Sequence, residues 1–255
     1  MSELRAVIFD VDGTLVDSER HGHRVAFNQA FEELELPYRW DEDTYGGLLR
    51  VTGGQRRLHH YLREQGMDEG ERERLVPKLH ERKSEIFKEL VSEGALDVRP
   101  GVARLLAEVR GAGCSLAVAT TGSGGWVQVL LDKVVPDVDF DVMVFGGDVE
   151  EKKPDPKAFE LTLERLGMKA GETVVVEDSW EGLSAAKAAH LACAVVVNGY
   201  TAEHDLSEAD LVLDGFGDEG SPARVLADPH HTGCDGVLRV ATLRRLVGFA
   251  PEDDG

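Results

Sequence analysis

No apolar run in this 255-residue chain approaches the roughly 20 residues that a helix needs to cross a bilayer, and Met1 leads through charged Glu3 and Arg5 into only a short apolar stretch. Neither membrane insertion nor export is expected. Cysteine is scarce. Cys114, Cys193 and Cys234 are odd in number, far apart and without CxxC spacing, which excludes a disulfide framework and offers no zinc or redox signature. They read as reduced, mostly buried thiols of a cytoplasmic protein. Positive charge is in deficit: the formal net charge is −20, and a surface of that sign is unsuited to nucleic acid, whose phosphates are held by clustered Lys and Arg. A small anion would be repelled at long range as well. A site for one must therefore gather positive charge locally, from a divalent cation and a few lysines and arginines. Internal repeats and low-complexity tracts are missing too. What remains is ordinary globular composition, 42% hydrophobic and 30% charged, sufficient for one large core or a core with an inserted module.

Short apolar runs rich in β-branched residues recur at Ala6 to Phe9, Leu116 to Ala119, Val142 to Phe145, Val174 to Val176 and Cys193 to Val197, with a weaker one at Leu211 to Leu213. Several are continuous rather than alternating, as suits strands covered on both faces, and amphipathic stretches such as Gly101 to Arg110 and Pro156 to Leu166 lie between them. The pattern predicts an α/β fold with a doubly wound parallel sheet. Roughly 100 residues separate the first two strands, where a crossover needs only about a dozen. Two apolar stripes, Val25, Phe27, Ala30, Phe31, Leu34 and Leu75, Leu79, Ile86, Phe87, Leu90, make that insert a helical cap, with a Gly-rich bend at Tyr45-Gly46-Gly47 and Gly53-Gly54 between them. The expected division is a core of residues 1–17 and 95–255 and a cap of residues 18–94. Residues 214–236, rich in Gly and Pro, are expected to be mostly loop before a final helix from about Val237 to Val247.

The chemistry concentrates after the strands. In an extended segment, residues two apart project to one side, so Asp10 and Asp12 can both face the crevice beyond the first strand. One carboxylate can attack phosphorus while the other protonates a leaving oxygen and then activates water. Alone, an Asp-x-Asp pair is as often a turn or a helix cap. Three further features tilt the balance. Thr120-Thr121-Gly122-Ser123 offers hydrogen-bond donors to phosphate, Lys153 precedes Pro154-Asp155-Pro156, and Glu177-Asp178-Ser179 follows another apolar strand. Acids, hydroxyls and an ammonium then meet on one edge of the sheet.

This ordered set resembles the haloacid dehalogenase (HAD) superfamily, whose motifs correspond to Asp10-Val11-Asp12-Gly13-Thr14, Thr120, Lys153 and Glu177-Asp178. The resemblance implies a HAD-like core with Asp10 as nucleophile, Asp12 as general acid and base, and Thr120, Thr121 and Lys153 as phosphate ligands. Mg2+ would be held by the Asp10 carboxylate, the Asp12 main-chain carbonyl, Asp178, and Glu177 directly or through water. Asp17-Ser18-Glu19, Tyr45-Gly46-Gly47-Leu48-Leu49-Arg50, Thr52-Gly53-Gly54, His80 with Arg82-Lys83, and Arg99-Pro100-Gly101-Val102 are similar to CbbY-type phosphatases. That likeness implies hydrolysis of xylulose-1,5-bisphosphate or a similar phosphorylated sugar. Glu19, Tyr45, Arg50, Gly53, Gly54, His80 and Lys83 would serve as cap substrate residues, and Arg50, Arg56, Arg57, Arg82 and Lys83 as candidates for a second cationic pocket. The rival readings are a β-phosphoglucomutase-like enzyme, which shares the aspartyl-phosphate but returns it to a sugar, and a non-catalytic sugar-phosphate sensor. His59-His60 and His230-His231 read as solvent-facing pairs, and Trp126 and Trp180 as core anchors.

Overall fold

Ala6–Phe9 (β1) is apolar at every position and buried throughout, as a strand with helices on both faces must be. The computed structural model, which describes residues 3–51 and 53–247, places it mid-sheet. Thr52, from the Thr52-Gly53-Gly54 stretch, lies outside the described residues. The other strands are β2 (Ser115–Ala119), β3 (Val142–Val144), β4 (Thr173–Glu177), β5 (Ala192–Val196), β6 (Leu211–Leu213) and β7 (Val225–Ala227). Their order is β3-β2-β1-β4-β5-β6-β7, and all pairs are parallel except β6 with β7. Phe9 stands beside both Val118 and Val176, so the residues that follow β1, β2 and β4 emerge side by side. The order reverses at β1, the kind of switch point where α/β sheets bind ligands.

The chain forms two compact units, one from the segments up to Asp17 and from Asp97 onward, the other from Ser18–Leu96. In the second unit a π-helical turn, Glu19–His23, runs into α1 (Arg24–Glu33), followed by α2 (Glu42–Leu48), α3 (Gly54–Glu64) and α4 (Glu69–Ser92). Phe27 and Phe31 of α1 pack with Trp40, and Leu79, Ile86 and Phe87 of α4 are buried. The expected bend at Tyr45-Gly46-Gly47 is instead helical. Asp41 caps α2 by accepting from the Thr44 N–H at 2.8 Å, and Glu42 and Asp43 occupy the first turn. A cap is worth about 1 kcal/mol and acids near a helix N-terminus a few tenths more, which offsets part of the cost of two helical glycines.

In the first unit, α5 (Val102–Gly111), α6 (Gly124–Val134), α7 (Lys157–Leu166), α8 (Trp180–Ala188) and α9 (Val240–Leu246) surround the sheet. Ile8, Ala117, Val144, Phe159, Val175 and Val195 belong to one buried cluster. The stretch expected to be loop contains β7, an exposed edge strand whose three residues carry no alternating signal. Two local expectations are also corrected. Trp180 is 44% exposed and so is no core anchor, and His230 places Nε2 3.0 Å from the buried Asp210 carboxylate rather than facing solvent unpaired. Among the described residues no helix is long and apolar enough to cross a membrane.

Candidate active site

The site begins where β1 ends. Asp10 N–H still donates to Val176 O (3.1 Å), and the chain then turns back on itself as Gly13 N–H bonds Val16 O (2.8 Å) and Val16 N–H bonds Val11 O (3.1 Å). Gly13 has φ +87°, and a Cβ there would lie 2.4 Å from Asp178 Oδ2, so the turn needs glycine both for its backbone and for its neighbour. Asp10, Glu177 and Asp178 are all buried, and each offers an oxygen within 4.8 Å of the others. Lys153 reaches this group from the loop before α7. Its Nζ donates to Asp10 Oδ1 (2.8 Å), Glu177 Oε1 (2.6 Å) and Ala119 O (2.8 Å).

Glu177 is fixed on its other oxygen, which accepts from Asp178 N (2.9 Å), Ser179 N (3.3 Å) and Ser179 Oγ (3.1 Å). Gly182 in the first turn of α8 makes room for that carboxylate: a Cβ there would fall 1.9 Å from it. Asp178 accepts from Thr14 Oγ1 (3.0 Å) and Asn198 Nδ2 (2.7 Å), one donor to each oxygen.

Burial pushes the Asp10 carboxyl up to about 8, and Glu177 and Asp12 add to the rise while Lys153 opposes it. Asp178 is driven well above the usual carboxylate range by burial, then by Glu177 and Asp10. Lys153 is held charged: burial disfavours the ammonium, but Asp10 and Glu177 outweigh it. Three carboxylates thus face one ammonium, and the surplus of negative charge, offered entirely by oxygen donors, fits a hard divalent cation.

Thr120 and Asp12 belong to the same unit but differ in setting. Thr120 is buried, and its Oγ1 accepts from Gly122 N (3.1 Å), shaping the loop before α6. Thr121 is exposed. Asp12 is half-buried, and its Oδ2 lies 3.3 Å from the position a Cβ on Gly122 would take, farther than the Trp126 and Val127 side chains (2.6 and 2.8 Å) that already require glycine there.

Within the Ser18–Leu96 unit, Glu19 accepts from the Tyr45 hydroxyl, and Arg57 donates to that hydroxyl at 3.1 Å and to Leu48 O at 3.2 Å. Lys83 is buried between the rings of Phe27 and Phe87, 4.8 and 5.1 Å from their centroids, with His23 Nδ1 at 2.8 Å. Burial first, then Lys83, hold both His23 and His80 below the ordinary histidine range, so His23 is a neutral acceptor for the lysine. His80 packs under Gly54, where a Cβ would meet Nε2 at 2.8 Å. Gly53 and Arg50 are exposed, and Arg50 Nε donates to Gly47 O (2.9 Å). Arg82 is committed to Glu33, Glu85 and Glu89, which takes it out of the set of cations available to a ligand. Asn198 and the guanidinium of Arg99, which bonds Gly13 O at 2.6 Å, were not legible as site residues. Asn198-Gly199 reads as an ordinary turn after a strand.

Residues 4–190 match the family model of the haloacid dehalogenase-like hydrolases. A CBBY-like protein of Arabidopsis thaliana is 41% identical over 84% of this chain and 69% of its own. Protein CbbY of Cereibacter sphaeroides is 40% identical over 86% of this chain and 96% of its own. A solved structure of mutant CbbY from Rhodobacter sphaeroides with xylulose-1,5-bisphosphate superposes with a TM-score of 0.71 at 38% identity, covering 83% of this chain and 94% of that one.

Proposed function

The chain belongs to the haloacid dehalogenase-like hydrolases and is a phosphatase enzyme, and from that premise we propose that it is a Mg2+-dependent phosphatase of a small sugar bisphosphate, xylulose-1,5-bisphosphate or a close analogue. The observation that carries the reading is the buried convergence of Asp10, Lys153, Glu177 and Asp178 where β1 and β4 end.

In this reading Asp10 attacks phosphorus. The bond from phosphorus to the sugar oxygen breaks, and Asp12 gives its proton to that oxygen, leaving an aspartyl-phosphate. Asp12 then takes a proton from water, which attacks the phosphoryl group, releases inorganic phosphate and restores the Asp10 carboxylate. Two unit charges about 4 Å apart repel by ~4 kcal/mol at an effective dielectric of about 20, so an ionised Asp10 cannot approach a phosphate unaided. Lys153 supplies one positive charge there, and Thr120 and Thr121 are assigned to the phosphate oxygens. The Asp10 and Asp178 carboxylates and the Asp12 carbonyl would hold Mg2+, with Glu177 reached through water because its oxygens already accept from Lys153, Asp178 and Ser179. When bound, the ion supplies the remaining positive charge that phosphoryl transfer requires. Recognition of the sugar and its second phosphate is assigned to the cap residues Glu19, Tyr45, Arg50, Gly53, Gly54, His80 and Lys83.

The test is a panel of sugar phosphates incubated with the protein and Mg2+. Release of inorganic phosphate from xylulose-1,5-bisphosphate above monophosphates is expected, and no release from any member overturns the reading. Isomer formation without net phosphate release would make the chain a β-phosphoglucomutase-like mutase instead, and binding without turnover a sensor.

A further inference from the structure

Gly13 sits between the proposed acid and base, Asp12, and the hydroxyl donor to Asp178, Thr14. Its carbonyl accepts from two side chains on separate elements: Arg99 at 2.6 Å, just before α5, and Asn198 at 3.3 Å, just after β5. Neither is an isolated contact. The Arg99 guanidinium also donates to Val196 O (2.9 Å) and Val197 O (2.6 Å), and its main-chain N–H bonds Leu15 O (2.9 Å), so one residue ties two points of the turn after β1 to the chain at the end of β5. Asn198 donates to Asp178 Oδ2 at 2.7 Å. It is itself oriented by Tyr200 N–H, which bonds its Oδ1 (2.8 Å), and by Thr201 Oγ1, which accepts from its own N–H (3.0 Å). The guanidinium lies 5.5 Å from the ring centroid of Phe216, a fully enclosed side chain that follows β6.

We propose that Arg99 and Asn198 are positioning residues for the reaction assigned above: together they clamp the Gly13 carbonyl, set the Asp10–Gly13 turn at a fixed distance from Asp178, and rely on Phe216 to seat the guanidinium. The inference rests on the phosphatase reading for its purpose but not for its geometry. The Gly13 carbonyl belongs to the peptide that leads into Thr14, so its rotation would shift the Thr14 hydroxyl against Asp178 and loosen the turn that carries Asp12, and displacements of about 1 Å in a reacting group cost on the order of a hundredfold in rate. Arg99 suits the task because a planar fork reaches three carbonyls at once, whereas a lysine presents a single point. Its positive charge stands on the Asp178 side of the site, as that of Lys153 stands on the Asp10 side. Asn198 and Phe216 both lie beyond residue 190, where the family match ends, so the supports of the site extend past the matched region.

Arg99→Lys, Asn198→Ala and Phe216→Ala test this, read by hydrogen exchange of the 11–16 amides without metal and by calorimetric titration with MgCl2, both well below each variant's Tm. In Arg99→Lys, which keeps the charge and loses the fork, the 11–16 amides should exchange at least about tenfold faster while β3 and α7 stay unchanged. Mg2+ affinity should fall by about ten- to a hundredfold, as it does when partners of metal ligands are removed. Asn198→Ala should behave alike, and Phe216→Ala the same in direction but less in size; with Arg99 still present, it carries the test if the Arg99 variant does not fold. A lowered Tm with loop exchange and Mg2+ affinity within about twofold of the parent would mean that Arg99 only braces β5, and would overturn the clamp. A parent protein that binds Mg2+ through an intact clamp yet releases no phosphate would overturn the phosphatase reading alone.

Discussion

Asp10 is ionisable, buried and surrounded by more acid than base, and that has a measurable consequence before any substrate is added. Its carboxyl is raised from an ordinary 3.8 to about 8, chiefly by burial. Between those values the unfolded chain has lost the proton and the folded, metal-free protein keeps it, so the folded state binds more protons and stability falls as pH rises. Asp178 is shifted in the same direction and adds to the slope. Thermal unfolding in EDTA should therefore show Tm declining from about pH 4 to pH 8, and added Mg2+ should raise Tm more at pH 8 than at pH 5.5. Asp10→Asn should flatten that decline and hold or raise the metal-free Tm, while turnover drops by at least about a thousandfold with an unchanged circular-dichroism spectrum. Retained turnover in Asp10→Asn would remove the nucleophile.

The strands and the helices between them show why part of the fold was legible and part was not. β1, β4 and β5 are buried on both faces and are built around unbroken apolar runs, so their ends, and with them Asp10, Glu177 and Asp178, could be placed from the sequence pattern. The short helix α2 could not, because Gly46 and Gly47 argue locally against a helix and its cap, Asp41, lies outside the Tyr45-Gly46-Gly47 stretch. α3 hides for another reason: Leu58 and Leu62 are its only buried aliphatic side chains in a run of Arg, His and Gln. Contacts such as Arg99 with Gly13, 86 positions apart, have no local signature at all. The element best suited to a test is α8, whose N-terminal turn wraps Glu177. Gly182→Ala would drive a methyl into that carboxylate and is expected to cost about 2–4 kcal/mol in urea unfolding and to loosen Lys153. Gly125→Ala in α6, where nothing lies within 4 Å of the new Cβ, serves as control and should be neutral or stabilising by roughly 0.5–1 kcal/mol.

At the scale of the whole molecule the charge of −20 opposes the arrival of an anionic substrate, and the cations of the site act only at short range. Raising ionic strength from about 0.02 M to about 0.15 M contracts the screening length to ~8 Å and should increase kcat/KM for a bisphosphate by about two- to threefold with kcat unchanged. A decrease would mean that the local cations govern the approach as well. The two compact units each own tryptophan: Trp40 is fully enclosed in the Ser18–Leu96 unit, whereas Trp126 and Trp180 belong to the other. Trp126 is nearly covered and Trp180 stands in water one residue beyond Ser179. The three indoles are thereby graded in their access to a collisional quencher. Acrylamide or iodide would silence the lamp beside the acids first and leave the one among Phe27, Phe31 and Tyr45 alight, so intrinsic emission can follow events at the two places separately without any label.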